Sequence, residues 1–363
     1  MDAPPQKLLG LEILRFCCAL AVVLNHYKFF AESAGAGALD FAHYPLSPFL
    51  APLYQWGQLG LQLFWMISGF VFVWKYGEVI AGHAISARKF LWLRLSRLYP
   101  LHFVTLLLVG ALQPVHVLLT GHSFVYGPND GVQFALNLAM ATQWGLIAPQ
   151  TFNGPFWSVS AEVLVYAVFF GVVWRFGSSI VVCALAMLAA TGLVMLADLP
   201  AAFCAMMFFA GGITALLFAE HGRSPRAVVI AFVMLMAALA AISATLMSGV
   251  TLSPRMLPMW VAPPLMFLMA SDGKLLDRFA RPIEAAGNLT YSTYLCHFPM
   301  QLALAIAVAV FEIELPLSSP AFLAVYLGAV LIVGRLVFVA FERPAQDWIR
   351  AAMLTPRAEP ATN

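Results

Sequence analysis

The chain has 363 residues, of which 62% are hydrophobic and 10% charged, and a formal net charge of +2 at pH 7. A mean hydropathy of +0.87 is more than a soluble core of this length needs. That excludes a soluble globule and makes the fold class all-α, a polytopic helical membrane protein with about ten transmembrane helices. So small a net charge says nothing about nucleic acid; where the positive charges fall is what matters, and no nucleic-acid partner is expected.

The first apolar run, Leu8 to Ala31, is long enough to cross a bilayer at ~1.5 Å per residue against a core of ~30 Å. It nevertheless carries Glu12, Arg15 and His26. At ~100° per residue, Arg15 and His26 point to one side of a helix, roughly 16 Å apart along its axis. Ionisable groups at such depth are costly unless they face protein or water, so the pair marks a functional site. The charges, and the lack of a small-residue cleavage site after the run, set it apart from a signal peptide.

The second run, 57–77, contains Gln62, Ser68 and Gly69; its small residues let another helix pack closely. Before the third, 98–119, stands SARKFLWLRLSRLYPLHF, with Arg88, Lys89, Arg94 and Arg97. Arg94 and Arg97 are neighbours on a helix face. The cluster reads either as a positive-inside anchor with snorkelling arginines or as a cytoplasmic phosphate clamp.

Next comes a moderately apolar stretch, 131–148, and then FNGPFWSVSAEVLVY at the entry of the run 157–176. Ser158, Glu162 and Tyr166 are four apart and form one polar stripe beside Trp157. Either Ser158 is only a helix cap, or a buried Glu162 needs a partner, and His26 is the expected one. The runs 178–197, 200–219, 227–248 and 254–271 are almost wholly apolar. The run 288–310 holds Tyr291, Tyr294 and His297, with Pro299 just after. His297 reads as a buried structural histidine or as part of the site. The last run is 319–341.

Ten crossings with the N-terminus inside put every basic loop on the cytoplasmic face: Arg88 to Arg97; Arg175; Arg223 and Arg226; Lys274, Arg278 and Arg281; then Arg343, Arg350 and Arg357. Glu32, Asp40, Asp130, Asp198, Glu312 and Glu314 fall opposite. A crossing at 131–148 would reverse all later loops, so 120–156 is expected outside, with a re-entrant or interfacial helix. Both termini are then cytoplasmic. Residues 1–345 form one membrane-embedded domain and 346–363 a short tail. Cys17, Cys18, Cys183, Cys204 and Cys296 have no metal-type spacing and read as packing residues. The other histidines, at loop or span ends, receive no role.

Taken in order, these segments resemble the acyltransferase-3 family of integral-membrane acyltransferases over nearly the whole chain. LEILRFCCALAVVLNHY carries the family's arginine, ten intervening residues and histidine, here Arg15 and His26. GLQLFWMISGFVF resembles its second helix. RLSRLYP carries its arginine pair and Tyr-Pro; FWSVSAE carries Trp-Ser-x-Ser-x-Glu. GNLTYSTYLCHFP resembles its Tyr-x-x-Tyr-x-x-His segment, with Thr290 in place of the usual serine, and FERP closes the set. Phe16 stands where the family often has glycine, and Val163 where it often has a second acid.

The resemblance implies acyl transfer, usually acetyl from acetyl-CoA as co-substrate, to a hydroxyl of a cell-envelope or lipid-linked saccharide, by a stand-alone member without a fused hydrolase domain. It implies Arg94, Arg97, Arg88 and Lys89 toward CoA, and His26, Glu162 and Arg15 in the chemistry. Trp157, Ser158, Tyr166, Tyr291, Tyr294 and His297 are assigned to substrate binding. His26 acts as general base or as a transient acyl carrier; either role needs a neutral imidazole. The rival reading is a secondary transporter using intramembrane Arg, His and Glu, and a glycan polymerase or ligase stands behind it. No permanently bound cofactor or metal is expected, and the oligomeric state is left open.

Overall fold

The computed structural model describes residues 8–33, 41–145, 150–222, 224–248, 253–271 and 275–354. Asp40, Arg223, Lys274 and Arg357 of the charge argument, and 146–149 of the doubtful stretch, lie outside these residues. Among the described residues, nine helices are long and apolar enough to cross a bilayer.

The first crossing is α1 (Leu9–Asn25), a 3₁₀ turn (His26–Lys28) and α2 (Phe29–Ser33). The single span the sequence predicts is present over Leu9–Ala31, tightened to a 3₁₀ turn at His26. A short helix, α3 (Ser47–Trp56), packs beside the turn, where Asn25 donates a 2.7 Å hydrogen bond to the Tyr54 carbonyl. α4 (Leu59–Ala81) and α5 (Ala87–Thr120) follow. The 34 residues of α5 span about 51 Å, well beyond a core of ~30 Å. Its first turns therefore project past the bilayer, and the helix starts well before the predicted span. Ser86 caps it by accepting from Lys89 N, and Gly121, at φ +83°, ends it in the left-handed conformation that glycine adopts freely.

α6 (Gly131–Leu138) has eight residues, too few to cross, so the stretch starting at 131 stays on one side as the charge argument requires. α7 (Trp157–Phe176), α8 (Ile180–Ala197), α9 (Pro200–His221) and α10 (Pro225–Met247) are crossings. α9 is the centre of the bundle: 83% of its most apolar window is buried, against 11% for α8 and α10, which face lipid. It can sit there because two glycines let backbones touch. A Cβ on Gly69 of α4 would strike the Phe208 backbone, and one on Gly211 of α9 would strike that of Met66. Gly211→Ala should therefore destabilise by about 1–3 kcal/mol. Gly192→Ala, in open space on α8, should be neutral; thermal unfolding of both variants in detergent checks this.

α11 (Leu257–Ala270) has 14 residues, short for a crossing. Its ends nevertheless lie at opposite faces. Arg255, in the 3₁₀ turn before it, pairs with Asp198 on the outer side at 3.1 Å. At its other end Met269 backs onto Gly10, near the start of α1. Turn and helix together reach about 25 Å, and α11 serves as the tenth crossing expected from charge. α12 (Ala280–Phe311) runs unbroken through Pro299, alongside α1, α5 and α13 (Pro320–Val337). A π turn (Phe338–Glu342) leads into α14 (Arg343–Leu354), which packs on α5. The cysteines are free; Cys18, Cys183, Cys204 and Cys296 are buried and Cys17 is exposed.

Candidate active site

Two cavities lie end to end along α1. The inner one, of about 120 Å³, is lined by Arg15, Ser68, Arg94, Arg97, Glu162 and Tyr166. Arg94 and Arg97 come from the cytoplasmic half of α5, three residues apart and hence on one face. The Arg94 guanidinium sits 4.9 Å from the ring centres of both Phe72 and Tyr76, and donates to the Tyr76 hydroxyl at 2.5 Å. Its Nε is buried without a hydrogen-bond partner. Arg15 is held by Glu12, one turn earlier, at 3.0 Å. Arg94 and Arg97 have no carboxylate within ion-pair distance among the described residues, while Lys75 adds positive charge nearby. Unpaired cations in a half-buried site are costly unless an anion completes them. Guanidinium forks match phosphate oxygens in particular.

Glu162 belongs to this inner cavity, facing Ser68 and Tyr166, with Arg15 and Arg97 within electrostatic reach. This corrects the expectation that it pairs with His26. The stripe Ser158–Glu162–Tyr166 does share one helix face, but that face turns toward the arginines. Tyr166 stacks on Phe72 at 4.2 Å and lines the inner cavity. Arg88 and Lys89 lie apart from the other two basic residues of the cluster. They are exposed on the first turn of α5 and line neither cavity. Arg88 stands six positions before Arg94, which sets it about 120° away around the helix.

The outer cavity, of about 220 Å³, is lined by His26, Lys28, Gln58, Tyr126, Gln150 and Trp157. Leu61 and Tyr294 line both cavities and so form the partition between them. The Tyr294 hydroxyl is fixed, 2.8 Å from the Pro155 carbonyl and 2.8 Å from Ser158 Oγ. Nearby, Asn153 donates to the Leu295 carbonyl at 3.1 Å, so the turn before α7 is pinned to α12. Tyr291 spends its hydroxyl on the Leu98 carbonyl at 2.6 Å.

His26 Nδ1 lies 2.9 Å from His297 Nε2, with the rings stacked at 5.1 Å. The partner of His26 is thus His297, on α12. His297 is fully buried and lines neither cavity, so it reaches the outer cavity only through His26. Sequence reading missed Gln301, whose Nε2 donates to the His26 carbonyl at 2.9 Å. A lone glutamine one turn beyond His297 in an apolar run was its only signal. It also passed over Lys28, Lys75 and Tyr76, and read Ser68 as packing alone. Glu342 of the closing FERP segment is buried and receives the Ser292 hydroxyl.

A family model described as "Acyltransferase domain", of the acyltransferase-3 type, matches residues 8–338. "Protein 2 in picA locus" of Rhizobium radiobacter is 30% identical over 185 residues, covering 46% of this chain and 83% of that protein. "Acyltransferase MdmB" of Streptomyces mycarofaciens is 28% identical over 174 residues, covering 46% of this chain and 40% of that protein. No solved structure matches the chain at a significant level. With the match running from the first crossing to the end of the last one, through every segment that builds the two cavities, the chain belongs to the acyltransferase-3 family and is a multi-pass membrane acyltransferase.

Proposed function

We propose that this protein moves an acyl group, acetyl first among the candidates, from cytoplasmic acyl-CoA to a hydroxyl of an exported or cell-envelope saccharide. The membrane would be a bacterial-type cytoplasmic membrane. The observation that carries this reading is the pair of cavities: unpaired guanidiniums in one, His26 in the other, and a two-residue partition between.

Arg94 and Arg97 hold the CoA phosphates at the inner mouth, and Arg15 lies further in, where it can polarise the thioester carbonyl. Glu162, across the same cavity, offsets part of the positive charge of Arg15 and Arg97. The outer cavity combines aromatic faces (Tyr126, Trp157) with amides (Gln58, Gln150), a lining suited to the apolar faces and hydroxyls of a sugar ring. His26 takes the proton of the acceptor hydroxyl as its oxygen attacks the thioester carbonyl. The C–S bond breaks, and the departing CoA thiolate takes that proton from the imidazolium. The acyl end of the donor must pass Leu61 and Tyr294 to reach His26.

Purified protein incubated with acetyl-CoA and an envelope polysaccharide extract should release CoA and acetylate the polysaccharide. A transporter would release none. The partition gives a second test. Leu61→Ala should raise the rate with butyryl-CoA relative to acetyl-CoA by about 10-fold, since a methylene or two in an apolar passage is worth that order. An unchanged ratio would remove Leu61 from the acyl path.

A further inference from the structure

We propose that His297 and Gln301 form a clamp that holds His26 in one tautomer, with Nε2 unprotonated and turned into the outer cavity. The two clamp residues are four apart on α12 and so share a face. One meets the His26 ring at 2.9 Å and the other its backbone carbonyl at 2.9 Å. That carbonyl lies where α1 gives way to the 3₁₀ turn and already accepts from the Phe29 N–H, so Gln301 adds a second bond that ties the turn to α12. The ring is held from the other side as well, stacked on Phe29 at 4.6 Å.

The direction of the ring-to-ring hydrogen bond follows from what surrounds His297. Its Nδ1 is buried with no hydrogen-bond partner among the described residues; the ring interacts with the carbonyls of Thr293 and Tyr294, one turn earlier, and Nδ1 is the ring nitrogen nearer that backbone. Carbonyls accept and never donate, so Nδ1 of His297 carries its proton. Nε2 of His297 then offers a lone pair, and His26 Nδ1 must be the donor. The remaining nitrogen of His26, Nε2, is left bare on the ring that lines the outer cavity. A histidine whose tautomer is set by the bond at its other nitrogen is already oriented to accept a proton. His297 and Gln301 touch no substrate; they are positioning residues. Their part in transfer rests on the function proposed above, whereas the tautomer does not.

Nitrogen NMR of the full chain, histidine-labelled and in lipid nanodiscs, reads the tautomer directly, with His26 assigned by its loss in His26→Asn. The expected spectrum has the His26 proton on Nδ1. In His297→Leu that preference should vanish. A proton on Nε2 in the wild type, or a His26 signal unmoved in His297→Leu, would overturn the clamp. Activity adds a second readout, CoA release from acetyl-CoA with an envelope polysaccharide extract. His297→Gln, whose Oε1 can take the place of Nε2, should stay near wild type. His297→Leu should lose about 10–100-fold in kcat with KM unchanged. Equal losses in the two variants would reduce His297 to a packing residue. If the wild type releases no CoA, acyl transfer is the idea that fails, and the spectra still decide the clamp.

Discussion

Replacing His26 with alanine should lower acyl transfer by about 10²–10⁴-fold, the range a positioned general base contributes, while acetyl-CoA binding stays near wild type. The separation follows from the geometry. His26 lines the outer cavity, and the guanidiniums that would hold the donor line the inner one. CoA release measures the first quantity, and equilibrium dialysis of acetyl-CoA the second. Loss of both together would mean that the substitution has collapsed the bundle around α12. Unchanged transfer would move the chemistry away from His26 altogether. The His26→Gln variant is a useful companion, because it keeps a polar group toward His297 and still removes the base.

The second large effect is expected at the other end of the site. Arg97→Ala should raise KM for acetyl-CoA by about 10–150-fold, corresponding to the ~1.5–3 kcal/mol of a hydrogen bond to a charged group, with a smaller change in kcat. Arg94→Lys should also weaken binding although the charge is kept, because the planar guanidinium lies between Phe72 and Tyr76 and an ammonium cannot reproduce that stacking. Arg88→Ala and Lys89→Ala are the internal controls. Both side chains are exposed beyond the cavity, and screened surface charges contribute little. Steady-state kinetics on the four variants separates a phosphate clamp from a membrane anchor. If the exposed pair mattered as much as Arg97, the anchor reading would stand.

Much of this was legible before any coordinates. Hydropathy marked the long crossings. Charge placement kept the stretch from 131 on one side, and it required a crossing at α11 that length alone would reject. The pairing of Arg94 with Arg97 on one face, and of Ser158 with Glu162 and Tyr166, followed from spacing within single helices. What spacing could not supply was which helix each face meets. Glu162 was assigned to His26 because both seemed to lie toward the outer half of the membrane, whereas α7 turns its stripe toward α5. His26 and His297 are 271 positions apart, and nothing local announces that α1 and α12 lie side by side. The 3₁₀ turn at His26 was equally hidden, since LNHYKFFA has neither glycine nor proline. Part of what holds the turn is a glutamine from the far end of the chain.

The π turn at Phe338–Glu342 carries a consequence of a different kind. A π turn is an α-helix with one residue too many, and each residue advances a helix by about 100°. Everything after it is therefore out of phase with α13. In that shifted phase Glu342 meets Ser292, and Arg350 Nε reaches Ser96 Oγ at 3.3 Å. Deleting any one of Phe338 to Phe341 would leave hydropathy and charge almost as they are, yet swing α14 around by more than a quarter of a turn and carry both anchors off their partners. The closing segment is thus tuned by its length. A substitution there changes one side chain, whereas a single-codon deletion re-aims the whole end of the chain.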